Sequence, residues 1–296
     1  MKANQASFRF AALRPRHRPE AFTLIELLVC IGILALLAAL LLPALGRAQA
    51  TAQAILCANN QRQMGLACLV YAGDFEDALP YNLGETETRR TVADRTFLNW
   101  VNNVMNWELD SENTNELLLA TGGLGPYTTG APKLYRCPSD RVLSDLQRDA
   151  GWSERMRSVS MNAMVGNAGD YTKGGTNINN PSYQQYFKLS QIPEPSRIFV
   201  FIEEHPDSIN DAYFLNRPAS GQWHDLPASW HHGAGNLTFA DGHVETHQWQ
   251  FASTKPPTRP DAAGLPFAVP QAEDDDFEWL MEHTSLTGGY IPPKKY

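Results

Sequence analysis

The chain has 296 residues, with 24 Lys and Arg against 32 Asp and Glu, a formal net charge of −8 at pH 7. The acidic excess disfavours nucleic acid as a partner, while the length is enough to bury one full core. Phosphate-binding glycine loops and Gly-x-Ser-x-Gly turns are absent from the sequence, so neither nucleotide nor serine-hydrolase chemistry is supported.

Residues 20–48 read EAFTLIELLVCIGILALLAALLLPALGRA. Between positions 22 and 45 the one side chain fully charged at neutral pH is Glu26. A helix of that length reaches about 36 Å, enough to cross a hydrocarbon core of about 30 Å. Lys2, Arg9, Arg14, Arg16 and Arg18 precede it and favour a cytoplasmic N-terminus. A cleavable secretory signal has an apolar stretch of only about 7–15 residues, which fits this one poorly. A carboxylate near the bilayer centre costs about 2.5–3.5 kcal/mol on insertion scales, so Glu26 points to a function. The plain alternative is hydration by headgroups, since the residue stands near the start of the helix.

The order Ala21-Phe-Thr-Leu-Ile-Glu-Leu-Leu-Val resembles the N-terminal processing motif of type IV prepilins and type II secretion pseudopilins. The resemblance implies that a prepilin peptidase cuts between Ala21 and Phe22 on the cytoplasmic side and methylates the new amine. Ala21 stands where that family usually has Gly. The same resemblance implies a bacterial inner-membrane protein that assembles with other pilin-like subunits, as a homo- or heteropolymer. The cut leaves 19 basic and 31 acidic residues, a net of −12. It also creates an α-ammonium four residues from Glu26, one turn away on the same face. The carboxylate can then neutralise the amine of its own or a neighbouring chain; between chains the pair sets the axial register, because an unpaired charge in lipid is expensive.

Beyond Pro43 the helical pattern continues to about Gly73, with Pro43 expected to kink the helix rather than end it. Cys57, Gln61, Met64, Cys68, Tyr71 and Phe75 form one stripe at helical period, expected to lie against a globular domain. Cys30 lies in the apolar run and packs as a small hydrophobe. Cys57 and Cys68 are about 16 Å apart along one helix and cannot bridge each other. Either could meet Cys137 in an oxidising compartment; buried free thiols are the alternative. From Asp74 the chain is loop-rich. Strands or strand edges are predicted within 134–140, 156–166 and 197–204, and a short helix within 112–120. The stretch 166–182 reads as a solvated loop, without the spaced carboxylates of a calcium site.

Asp241-Gly242 between alternating segments predicts a two-residue type I′ hairpin. That turn pairs Ala240 with His243, Phe239 with Val244 and Leu237 with Thr246. It buries Leu237, Phe239 and Val244 on one face and turns His243, Glu245 and His247 to the other. Two His and a Glu on a strand face, with His231 or His232, suit zinc. Without a helical His-x-x-x-His or paired-Cys motif, a solvated face is preferred, and no metal, other cofactor or catalytic residue is expected.

His231, nine intervening residues, then Asp241-Gly242 resembles the H-x9-DG pattern of a large group of prepilin-like proteins. Cys57-Ala-Asn-Asn-Gln-Arg-Gln-Met-Gly, Arg136-Cys-Pro-Ser-Asp and Ser160-Met-Asn-Ala resemble further motifs of that group. Asp241 and Gly242 then have structural roles in a turn, and His231 caps or hydrogen-bonds across the hairpin. The expected architecture is a pilin-like α+β protein whose long transmembrane and amphipathic helix packs on an antiparallel sheet. Its divisions are a leader 1–21, a membrane span 22–45, an amphipathic continuation 46–75 and an extracytoplasmic domain 76–296. The expected function is a structural subunit of a type II secretion pseudopilus or type IV pilus-related fibre. The alternative is a membrane-anchored periplasmic binding protein or metal-dependent hydrolase that uses the pilin leader for export.

Overall fold

The structure is a computed structural model that describes residues 22–260 and 264–286; Ala21 lies outside the described residues. Helix α1, Leu24–Asp74, is unbroken over 51 residues, Pro43 included. It belongs to two compact units, Met1–Ala48 and Gln49–Tyr296.

In the first unit the helix is long and apolar enough to cross a membrane, and its apolar window buries nothing within the protein. Leu24 is 77% exposed and Leu42 68%. A run of leucines and isoleucines without a polar face cannot remain in water, so a membrane or neighbouring helices must cover it.

The second unit is built on a five-stranded sheet. In chain order the strands are β1 (Val159–Asn162), β2 (Thr172–Lys173), β3 (Thr176–Asn177), β4 (Phe199–Glu203), β5 (Tyr213–Phe214), β6 (Gln222–Trp223), β7 (Ala234–Phe239), β8 (Val244–Gln248) and β9 (Phe267–Ala268). The main sheet runs β5-β1-β4-β7-β8, while β2-β3 and β6-β9 form two small ribbons. Pairing is antiparallel except between β1 and β5, so the sheet is mixed rather than wholly antiparallel. The shorter helices are α2 (Glu85–Ala93), α3 (Leu117–Ala120), α4 (Asp145–Asp149) and α5 (Asp275–Thr284), and the arrangement is α+β.

Apolar side chains cover both faces. One cluster joins Met64 and Cys68 of α1 to Trp100, Tyr135, Met161 and Phe201. The other joins Phe199, Leu237 and Phe239 to Phe277, Leu280 and Met281 of α5 (Asp275–Thr284). Every residue of β4 and β7 is therefore buried. Within the predicted stripe of α1, Cys57, Gln61, Met64 and Cys68 are buried, Tyr71 is partly buried and Phe75, past the helix end, is 50% exposed.

Several expectations are corrected. Residues 134–140 form no strand: Pro132 starts a 3-10 turn, Pro132–Tyr135, and Asp140 N–H closes a turn on the Cys137 carbonyl at 3.0 Å. The helix within 112–120 is split into a 3-10 turn, Ser111–Asn113, and α3, Leu117–Ala120. The loop 166–182 contains the β2-β3 ribbon.

The hairpin turn is three residues long rather than two. Phe239 N–H donates to the His243 carbonyl and Gly242 N–H to the Phe239 carbonyl, both at 2.9 Å, with Gly242 at φ +88°. This is a turn closed by a left-handed residue. The register becomes Thr238 with Val244, Leu237 with Glu245, Asn236 with Thr246 and Gly235 with His247. A slip of one residue exchanges the faces on the returning strand. His243, Glu245 and His247 therefore share the face of Leu237 and Phe239, and Val244 goes to the other. Nor is that face plainly solvated: His243 stacks on Phe239 at 4.4 Å, and His247 lies between Trp249 and Trp279 at 4.5 and 3.6 Å.

Candidate functional site

At the start of α1, Thr23 and Glu26 form a reciprocal cap. Thr23 N–H and hydroxyl donate to Glu26 Oε2 at 2.9 and 2.6 Å, and Glu26 N–H donates back to Thr23 Oγ1 at 3.3 Å. This is the Thr-x-x-Glu capping box, which satisfies helix-end donors that lipid cannot. The carboxylate therefore has a local role in the uncut chain. Phe22 is 68% exposed.

The second site lies inside the Gln49–Tyr296 unit. Cys57, Cys137, Glu203 and His231 bring one ligand atom each to within 4.8 Å of one another. Each comes from a different element: Cys57 from α1, Cys137 from the turn after the 3-10 segment, Glu203 from the end of β4 and His231 from the loop entering β7. That loop is tight. Gly233 N–H donates to the Ser229 carbonyl, Ala234 N–H to the His231 carbonyl, and His232 and Gly233 have φ of +58° and +88°.

His231 Nε2 stands 3.3 Å from Glu203 Oε1 and 3.5 Å from Cys137 Sγ. Cys57 Sγ contacts the same Glu203 oxygen. The other carboxylate oxygen accepts the Asn236 backbone N–H at 2.8 Å, which orients the group. Ser139 N–H donates to Cys137 Sγ at 3.4 Å, and the Cys137 backbone N–H is held by Ser158. His231 Nδ1 is buried and has no hydrogen-bond partner among the described residues, so the ring is oriented from its Nε2 side. Burial pushes the Cys57 thiol up, reinforced by Cys137 and Glu203. Burial also pushes Cys137 up, but hydrogen bonds from Cys57 and His231 carry it below its usual value. For His231 burial acts downward; Cys137 and Glu203 outweigh it and lift the ring to about 10.

Cys, His and Glu are also the components of a nucleophilic relay, but the geometry does not suit one. A relay uses one imidazole nitrogen for the nucleophile and the other for the carboxylate. Here Nε2 faces both. Glu203 and Cys137 are also fully buried, leaving a substrate no approach.

Of the residues singled out in the sequence, the structure thus gathers Cys57, Cys137 and His231. All four cysteines are unbridged; Cys68 packs in the apolar core away from this group. Asp241 accepts from His243 N–H and Nδ1 at 3.0 and 2.6 Å, and Gly242 closes the turn. His243 and His247 join no multi-residue ligand group with His231 among the described residues. Sequence reasoning missed Glu203. Its signal was a Glu-Glu pair ending the apolar run Ile-Phe-Val-Phe-Ile.

An apolar helix headed by this motif and joined to an α+β domain defines a pilin-like or pseudopilin-type protein. Residues 16–42 match the prokaryotic N-terminal methylation motif. The chain belongs to the family described as protein of unknown function (DUF1559), whose model matches residues 47–206. Neither a curated protein nor a solved structure matches the chain. The motif implies processing by a prepilin peptidase and assembly with other pilin subunits.

Proposed function

We propose that the protein is a structural subunit of a type II secretion pseudopilus or a type IV pilus-related fibre. It is cut between Ala21 and Phe22 and anchored in the inner membrane by the first half of α1, with the Gln49–Tyr296 unit on the extracytoplasmic side. The observation that carries this reading is the methylation motif heading a helix whose apolar window is wholly unburied. Such a helix requires a covering; packing against equivalent helices after extraction from lipid supplies one. Glu26 then has two successive roles, helix cap in the uncut chain and partner of a neighbouring Phe22 ammonium in the assembled one.

The two roles separate by substitution. Glu26→Gln retains an oxygen acceptor for the Thr23 cap, a pairing that Gln also makes, but removes the charge. Both proteins are expressed with a prepilin peptidase, and mass spectrometry checks the mature N-terminus for a methylated Phe22. Expected are equal cutting and membrane content, with cross-linked multimers reduced in Glu26→Gln by about tenfold, the loss of one charge pair in lipid. Equal cross-linking of two correctly processed proteins would remove the assembly role of Glu26. A mature N-terminus elsewhere would remove the reading itself.

A further inference from the structure

We infer that Cys57, Cys137, Glu203 and His231 form a structural metal site for a thiophilic divalent cation of the zinc class. The donor set is two sulfurs, one imidazole nitrogen and one carboxylate oxygen, all on buried residues with ligand atoms within 4.8 Å of one another. A tetrahedral zinc with ordinary bond lengths separates a nitrogen from a sulfur by about 3.5 Å and from an oxygen by about 3.3 Å. The corresponding distances from His231 Nε2 are 3.5 Å to Cys137 Sγ and 3.3 Å to Glu203 Oε1; Cys57 Sγ touches Glu203 Oε1 directly, and a bound ion would part that pair.

The surroundings suit thiolates and a metal-bound carboxylate. Ser139 N–H points at Cys137 Sγ, and Asn236 N–H holds the Glu203 oxygen that does not face the group. These are the outer contacts that orient metal ligands. Among the described residues no Lys or Arg pairs with Glu203; its one ion-pair partner is His231. A divalent cation would add positive charge beside two thiols and a buried carboxylate whose one ion-pair partner, His231, becomes a ligand.

Four protein ligands with no exposed face describe a closed site, the form that stabilises a fold rather than activating water. The ion would tie α1 to the 137 turn, to β4 and to the loop before β7, closing chain segments of 80, 66 and 28 residues between successive ligands. Long closures of this kind are where a cross-link restricts the unfolded chain most. On binding, the protons held by the two sulfurs and the imidazole pass to solvent, so that both sulfurs bind as thiolates and the ring as the neutral imidazole.

The test uses the full chain in detergent, produced with zinc and kept reduced. Elemental analysis should find one zinc per chain. Replacement by Co(II) should give a thiolate-to-cobalt charge-transfer band and the strong visible bands of a tetrahedral ion. Both should fall about tenfold or more in Cys137→Ser and in His231→Gln. Cys68→Ser, which alters a buried thiol outside the group, should keep them. Circular dichroism identifies a variant that has not folded; the wild type alone then still decides, because a chelator should lower its melting temperature and release two further reactive thiols. Substoichiometric metal in the folded wild type overturns the proposal. So does a Cys57–Cys137 disulfide found by peptide mapping of unreduced protein from the native membrane, or a metal content unchanged in Cys137→Ser.

Discussion

Gly242 shows how much one residue can decide. Its φ of +88° closes the three-residue turn, and the Leu69 side chain would lie 3.1 Å from a Cβ placed there. A β-branched residue is strained in that backbone region. Gly242→Val should destabilise the protein by about 1–3 kcal/mol, read as a lower melting temperature, whereas Gly242→Asn should cost less because Asn tolerates the left-handed region. His247 gives a pH-dependent counterpart. Burial between two indoles lowers its pKa, against the opposing pull of Glu245 and Asp276. The folded protein holds the ring neutral, while the unfolded chain takes up a proton below about pH 6.5. Its contribution is therefore present above that value and lost as pH falls through the lowered folded one. His247→Phe keeps an aromatic ring and removes the titration. Between about pH 7.5 and pH 5 the wild type should lose melting temperature relative to this variant; a constant difference would show that the ring does not titrate as argued.

Among the elements, α1 and β7 meet where both are small. A Cβ at Gly65 would stand 2.5 Å from Thr238 Cγ2. Thr238 cannot turn away cheaply, since its hydroxyl is held by the Gln61 carbonyl and side-chain oxygen at 3.2 and 2.7 Å. Helix propensity favours Gly65→Ala by about 1 kcal/mol, but overpacking costs about 1–3 kcal/mol, so the variant should be less stable. Adding Thr238→Ser removes the offending methyl and keeps the hydroxyl. Thermal melts of the single and double variants should show the stability returning; no rescue would place the close approach elsewhere. The same contact explains the buried polar side of β7. Gln61 Nε2 donates to the Asn236 carbonyl at 3.4 Å, so hydrogen bonds to the helix replace those to water.

At the level of the whole molecule, the two units stabilise themselves in different ways. Over residues 22–42 the first has apolar length and little polar chemistry beyond the Thr23–Glu26 cap, so the partners of this stretch must come from lipid or from other helices. The second joins short elements by many loops. It fastens them with two apolar clusters and with buried polar groups such as Arg157, whose guanidinium bonds Asn103, the Val159 carbonyl, Ser160 and the Asn210 carbonyl. Within this frame the Cys-Glu-His group joins elements far apart in sequence.

Features that depend on local pattern are legible in the sequence. The unbroken apolar run with its single carboxylate, the helical stripe from Cys57 to Cys68, and the strands within 156–166 and 197–204 all follow from period and composition, which neighbours in the fold do not alter. The motif around Phe22 belongs with them. Features that depend on distant partners are set by the packing of the whole fold. Whether Asp241-Gly242 closes a two- or a three-residue turn depends on how β7 seats against α1 and β4, since both loops accept the same Asp-Gly pair. The alternation of β7 indicated one solvated face, yet α1 and α5 cover both. Cys57, Cys137, Glu203 and His231 carry no mutual spacing in the sequence, because their meeting point is set by the packing of a helix, a turn, a strand and a loop rather than by any one of them.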